Sequence, residues 1–199
     1  MSWRGLFERA PENVSVAEIR SALVECRTEG EAENDREEST TTSPPEPSPT
    51  RIVVDADVLA ADCCVDGVSR AVLDALYRHS WMTLVASDQL LDDAARVIET
   101  VATQSLADEW RTNIETWRQP VDHPSGDQPA LGSAYRGGAM HLLSFDDGLT
   151  SSTAGATLNN YVPISVRQPD AFRLLFDPKS LYESTVDESY PGPDREPRK

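Results

Sequence analysis

The stretch RIVVDADVLA, Arg51–Ala60, decides the fold that we expect of this chain. It begins with a β-branched run typical of a short buried strand, and an acid, Asp55, ends that strand. Three later runs predict further strands, at Met82–Ala86, Met140–Ser144 and Tyr161–Val166. Helices are predicted between and after them, near Val58–Val65, Ser69–His79, Asp88–Thr103, Leu106–Trp117, Asp127–Tyr135 and Pro169–Phe176. Strands that alternate with helices predict a three-layer α/β fold with a central, mainly parallel sheet.

The flanks of this region differ from it in composition. Residues 15–29 predict an amphipathic helix, because Ser15 and Glu18 form a capping box and Gly30 follows as a stop. Residues 31–50 are acidic, then Ser/Thr-rich, then Pro-rich, which is typical of a disordered linker. We therefore expect an N-terminal helix in 1–30, a linker at 31–50, the main domain at 51–182 and a flexible tail at 183–199. The N-terminal helix is expected to dock on the domain or on a partner subunit.

The charge balance is strongly acidic. The 199 residues include 34 Asp and Glu against 18 Lys and Arg, for a net charge of −16, and the only lysines are Lys179 and Lys199. This composition is typical of proteins from a very salty cytoplasm, the halophile hypothesis. The alternative is an ordinary acidic protein that avoids nucleic acid. No apolar run approaches the ~20 residues of a membrane span, and the start of the chain lacks an apolar leader. We expect a cytoplasmic protein without a membrane partner.

Four acids occupy positions that suit a metal centre. Asp55 and Asp146 follow predicted strands, Asp127 begins a helix, and Asp93 lies about two turns into the helix capped by Ser87. Ligands of parallel sheets bind at the carboxyl ends of the strands. We therefore expect the carboxyl groups of Asp55, Asp127 and Asp146 to lie within about 8 Å of one another, a span that one hydrated ion can bridge. Hard oxygen ligands of this kind hold Mg²⁺ or Mn²⁺. The spacings of the cysteines and histidines do not match a zinc site.

The segments VVDADVLA, SDQLLDDAARVI and LLSFDDGL, together with Asp127, Leu131 and Ala134 in an Asp-x₃-Leu-x₂-Ala pattern, resemble the PIN-domain nucleases. That family includes toxin ribonucleases and RNA-processing endonucleases, and the resemblance covers about residues 51–177. It implies a PIN-like fold and a divalent-metal-dependent endonuclease with the four acids as catalytic and metal residues. It also implies cleavage that leaves a 5′-phosphate and a 3′-hydroxyl, with RNA preferred to DNA as the nucleic-acid partner.

Two weaker candidates stand beside the acids. Ser144 ends the third predicted strand, and Arg96 lies one turn after Asp93, where it could meet a phosphate or instead pair with Asp92. The spacing of Trp110 and Trp117 favours a core or interface role over base stacking.

Other functions remain open at this point. A catalytically silent PIN-like scaffold or interaction module is favoured by the net charge, because nucleic-acid affinity usually comes from Lys and Arg. A toxin held by an antitoxin is a third hypothesis, and pairing into a homodimer is also expected. A crevice surrounded by arginines would support a substrate path, with these candidates: Arg51, Arg70, Arg96 and Arg136.

Overall fold

A computed structural model describes residues 2–30, 43–124, 127–151 and 163–198 of the chain. In these ranges the strands are β1 (Ser48–Val54), β2 (Thr83–Ala86), β3 (Gln119–Pro120), β4 (Ala139–Leu143) and β5 (Ser165–Arg167). The helices are α1 (Trp3–Phe7), α2 (Val16–Gly30), α3 (Ala56–Cys64), α4 (Gly67–Tyr77), α5 (Asp88–Val101), α6 (Gln104–Glu115), α7 (Pro129–Gly137), α8 (Asp147–Thr150), α9 (Pro169–Leu175) and α10 (Pro178–Val186).

The five strands form one parallel sheet in the order β3-β2-β1-β4-β5, flanked by helices. The predicted α/β class with a parallel sheet is therefore confirmed. Ile52 of β1 is in register with Leu84 of β2, and Val54 is in register with Leu143 of β4. The carboxyl ends of these central strands consequently meet at one edge of the sheet. Of the predicted fourth strand, Tyr161 and Val162 lie outside the described residues.

The first strand starts earlier than the sequence suggested. β1 begins at Ser48, within the predicted linker, and its pairing with β4 shifts register between Ser48 and Ile52. Pro49 lies in this irregular stretch, which is where a strand tolerates a residue without an amide proton. Residues 31–42 of the predicted linker lie outside the described part of the chain.

The predicted N-terminal helix forms and docks on the domain. The Ser15 amide donates to the Glu18 carboxylate at 2.8 Å, and the Glu18 amide donates to Ser15 Oγ at 3.3 Å, which confirms the capping box. Ile19 and Leu23 are buried, and α2 lies against α5 and α3. The apolar stripe of the helix therefore packs within this chain, where it needs no partner subunit to be covered.

The tail packs on the domain instead of extending freely. Arg198 is buried and makes hydrogen-bonded ion pairs with Asp62 and Asp74 at 2.8 and 2.9 Å. Its guanidinium also lies against the ring of Trp3, 4.9 Å from the centroid, so α1 covers it. Tyr190 bonds to His79 at 2.6 Å. The polar, Pro-rich composition behind the flexible-tail prediction does not reveal these contacts, because they are made with residues far away in sequence.

Two details bear on the predicted elements. α7 begins at Pro129, with Gln128 as its cap at 2.6 Å from the Leu131 amide, so Asp127 precedes the helix rather than starting it. Trp110 is fully buried, which confirms its core role.

Among the helices described, none is both long and apolar enough to cross a membrane.

Candidate functional site at the carboxyl edge of the sheet

Asp55 is the central acid of this edge. It follows β1 directly, its amide donates to the Leu143 carbonyl of β4 at 2.8 Å, and its side chain is buried. One carboxylate oxygen, Oδ1, accepts from the Ala56 amide at 2.8 Å and so caps α3. The other, Oδ2, accepts from the Ser144 hydroxyl at 2.9 Å. These bonds fix both oxygens of Asp55 in a position set by two neighbouring strands.

Arg27 of α2 joins Asp55 to a second acid. Its Nη2 lies 3.1 Å from Asp55 Oδ1, and its Nε lies 2.9 Å from Asp93 Oδ2. Asp93 lies on α5 and is largely buried. Because one guanidinium bonds both acids, the carboxylates of Asp55 and Asp93 face each other across it. Burial alone would lower the pKa of Arg27, but the charges and hydrogen bonds of Asp55 and Asp93 raise it overall. The sheet edge therefore binds a cation, and that cation is a side chain of the protein itself.

Asp57 is a third acid in the same place. It is buried in the first turn of α3 and accepts hydrogen bonds from the amides of Val58 at 2.7 Å and Phe145 at 3.0 Å. Burial, followed by the charge of Asp55, raises the pKa of Asp57 from its ordinary 3.8 to about 8. The carboxyl group of Asp57 is therefore held largely in its protonated form at neutral pH.

Asp146 lies at the exposed rim of the site. Its amide donates to Ser144 Oγ at 3.0 Å, and its carboxylate caps α8 by accepting from the Gly148 amide at 2.7 Å. Ser144 therefore connects Asp55 to the backbone of Asp146. The neighbouring Asp147 pairs with Arg20 of α2 at 3.1 Å, so a second arginine of the same helix reaches this rim.

Asp127 does not join the other three acids by any hydrogen bond or ion pair within the described ranges. It is exposed, and its backbone amide donates to the Pro124 carbonyl at 3.3 Å. Over those same ranges, no three His, Cys, Asp or Glu side chains come together as a metal site. The contacts thus unite Asp55 and Asp93 through Arg27, and Asp55 and Asp146 through Ser144, while leaving Asp127 apart.

A buried polar cluster supports the start of α5, the helix that carries Asp93. Ser87 caps this helix by accepting from the Leu90 amide at 3.1 Å, and its hydroxyl also lies 3.0 Å from His123 Nε2. The Ser87 amide donates to Ser133 Oγ at 3.1 Å. A β-carbon added at Gly132 would lie 2.8 Å from the His123 ring, so a glycine permits this close packing. The cluster anchors the N-terminal end of α5 to the loop before α7.

Two of the four arginines proposed to surround the crevice, Arg51 and Arg70, bond to groups other than the candidate acids. Arg51 donates to the carbonyls of Glu46 and Gly137, and Arg70 donates to Asp62. Arg96 is exposed on α5, and its suggested partner Asp92 pairs with Arg111 instead. Within the described ranges, Arg27 pairs with Asp55 and Asp93, and Arg20 pairs with Asp147, the neighbour of Asp146.

Sequence reasoning missed the role of Arg27. A signal for it existed, because Arg27 lies four residues after Leu23 and eight after Ile19, on the buried face of the amphipathic helix. A charged residue on such a face requires a partner of opposite sign, since an unpaired buried charge is costly. The sequence could not identify which of its 34 acids would be that partner.

Comparison with known proteins identifies the family of the domain without assigning an activity to it. No curated protein and no solved structure matches the chain. A family model does match, over residues 46–198, which includes all five strands and the packed tail but excludes α1 and α2. Since the match covers well over half of the chain, this protein belongs to DUF7384, a family of unknown function.

Proposed function

We propose that the protein is a divalent-metal-dependent endonuclease that hydrolyses phosphodiester bonds, with RNA preferred to DNA. The observation that carries the proposal is the pair Asp55 and Asp93, two carboxylates that hold one cation at the carboxyl edge of a parallel sheet. Ligands of such sheets bind at this edge. The resemblance of the strand-end motifs to PIN-domain nucleases supports the same reading of the site.

The donor set suits a hard cation. Asp55 and Asp93 would hold Mg²⁺ or Mn²⁺ once the guanidinium is withdrawn, with Asp146 at the rim as a further carboxylate. A bound ion of this kind supplies Lewis-acid activation of water and of the phosphate. Ser144 is a positioning residue. Its hydroxyl donates a hydrogen bond to Asp55 Oδ2, and its oxygen accepts one from the Asp146 amide.

The charge of the crevice limits what it can bind without an ion. Asp55 and Asp93 face each other across Arg27, Asp146 lies at the rim, and a phosphodiester is itself an anion. Arg20, Arg27 and the exposed Arg96 are the side chains from α2 and α5 that can attract a phosphate here. We therefore expect nucleic-acid binding to require the divalent ion.

Cleavage assays with a matched pair of variants test this proposal. RNA and single-stranded DNA are incubated with Mn²⁺ in concentrated KCl, using wild type, Asp55→Asn and Asp108→Asn. Asp108 is an exposed residue of α6, so it controls for the loss of one negative charge. We expect Asp55→Asn to lose the Mn²⁺-dependent cleavage and Asp108→Asn to retain it. Equal rates for all three proteins would show that any cleavage comes from elsewhere.

A second function has one specific observation in its favour. Arg27 already pairs with both Asp55 and Asp93, which suits a PIN-like scaffold or interaction module that has lost its metal. The net charge of −16 also opposes binding to a polyanion. Isothermal titration with Mn²⁺ separates the two functions, since a scaffold would bind no ion at this edge.

The proposed nuclease is expected to be cytoplasmic. It is also expected to form a homodimer, and light scattering would test that expectation.

A further inference from the structure

We propose that α2 is a built-in gate of the crevice, in which Arg27 occupies the place of the divalent ion and must leave before that ion binds. This inference rests on the proposed function, because it concerns the regulation of the same site. The chain thereby carries its own competitor for the metal.

The guanidinium of Arg27 already occupies one oxygen of each of the two acids. It bonds Asp55 Oδ1 at 3.1 Å and Asp93 Oδ2 at 2.9 Å, and it is the only group that joins these two acids in the described ranges. Divalent ions hold their oxygen ligands at about 2.0–2.6 Å. An ion coordinated directly by Asp55 Oδ1 and Asp93 Oδ2 would therefore displace the guanidinium from the oxygens that it now bonds.

The docking of α2 suits a cover that can be released. Its apolar contact includes the buried Ile19, Ala22 and Leu23 and the partly buried Cys26, while Val24 is 66% exposed. The second ion pair of the helix, Arg20 with Asp147, is largely exposed and so contributes little to docking. A helix of this length is marginal when isolated. The helix is thus held by its apolar contact with α5 and α3 and by the ion pairs of Arg27 with Asp55 and Asp93.

The location of α2 in the chain supports the same conclusion. The family match begins at residue 46, so the domain that contains Asp55 and Asp93 is defined without α2. A segment outside the shared domain has therefore placed a cation on two of its buried acids.

Thermodynamic linkage gives the gate a measurable signature. If Mn²⁺ and α2 compete, removal of Arg27 strengthens Mn²⁺ binding, and Mn²⁺ reciprocally weakens the docking of α2. We expect Arg27→Ala to bind Mn²⁺ at least about tenfold more tightly than wild type, a difference of about 1.4 kcal/mol. We also expect the α2 amides of the wild-type protein to exchange hydrogen faster when Mn²⁺ is added.

The experiment uses full-length proteins and three variants. Mn²⁺ affinity is measured by electron paramagnetic resonance for wild type, Arg27→Ala, Leu23→Asp and Arg9→Ala. Leu23→Asp releases the helix without altering any residue of the crevice, so it tests the gate even if Arg27→Ala folds poorly. Arg9→Ala removes an arginine of the same N-terminal segment whose partner is Glu109, far from the acids, and should bind Mn²⁺ as wild type does.

Each result separates the gate from the proposed function. Tighter Mn²⁺ binding by Arg27→Ala and Leu23→Asp, with faster α2 exchange in the wild type, supports the gate. Equal Mn²⁺ affinities in all four proteins overturn the gate. If those proteins still cleave RNA and cleavage depends on Asp55, the proposed nuclease function is retained. Tight binding by the variants without cleavage of RNA or DNA would keep the gate and overturn the nuclease. A failure of every variant to bind Mn²⁺ overturns both.

Discussion

At Asp57 the fold buries one carboxyl group beside another, Asp55. Burial first, and then the charge of Asp55, raise the pKa of Asp57 from 3.8 to about 8. Between about pH 4 and about pH 8, Asp57 is therefore protonated in the native protein but ionised in the unfolded chain. The stability associated with this proton is fully present below about pH 4 and is lost as the pH rises through about 8.

Asp57→Asn should therefore flatten the dependence of unfolding free energy on pH. Asparagine retains one oxygen acceptor but cannot serve both the Val58 and the Phe145 amides, so a hydrogen bond is lost at every pH. Loss of this hydrogen bond lowers the unfolding free energy equally at every pH. The slope of unfolding free energy against pH, between about pH 4 and about pH 8, instead reports the titration of Asp57. Urea unfolding at several pH values in constant salt measures it. Identical slopes for the two proteins would contradict the buried acid.

Gly138 is a second residue whose identity the backbone requires. It ends α7 with φ of 62°, and an added β-carbon would lie 3.0 Å from the carbonyl oxygens of Pro45 and Glu46. We expect Gly138→Ala to destabilise the protein by about 1–3 kcal/mol, since residues other than glycine are strained there. Gly5→Ala in α1 is the control, because no atom lies within 4 Å of the added carbon. A thermal shift that is equal for both would refute the strain.

Among the elements, the C-terminal segment and α1 together enclose an ionic cluster. Arg198 is fully buried between Asp62 and Asp74, and α1 covers it with the rings of Trp3 and Phe7. The pKa of Arg198 is raised overall, because the two acids outweigh the effect of burial. Removing one member of such a cluster leaves the remaining charges buried and unpaired.

Arg198→Ala should destabilise the domain by about 3–5 kcal/mol, which is the usual cost of breaking a buried ion pair. Arg195→Ala is the matched control, since Arg195 is an exposed arginine of the same segment. Chemical unfolding of both variants measures the difference. If Arg198→Ala unfolds at the same denaturant concentration as wild type, the tail is not an integral part of the domain.

For the whole molecule, the balance of charge sets the response to salt. With 34 acids against 18 basic residues, mutual repulsion opposes the compact state. At about 1 M salt the Debye length falls to ~3 Å, so this repulsion is screened. We expect the melting temperature to rise between about 0.1 M and about 2 M KCl. An unchanged or falling melting temperature would argue against the halophile hypothesis.

Local patterns predicted the sheet better than they predicted the site. The alternation of strands and helices is encoded in short stretches such as Arg51–Asp55, and the cap at Ser87 fixed the start of α5 correctly. The occupants of the crevice and the cluster around Arg198 depend on pairs far apart in sequence. Arg27 and Asp93 are separated by 66 residues, and Arg198 and Asp62 by 136. A charge pattern in a single sequence cannot select such partners among so many acids.

The position of α1 and α2 outside the family region has a consequence for how this chain can change. The family region from residue 46 to residue 198 contains the acids Asp55 and Asp93, whereas the arginine that meets them and the rings that cover Arg198 come from the first 30 residues. A substitution in the first 30 residues can therefore alter what Asp55, Asp93 and Arg198 contact without altering any residue of the family region. The contacts of the crevice are thus set by residues on both sides of the family boundary.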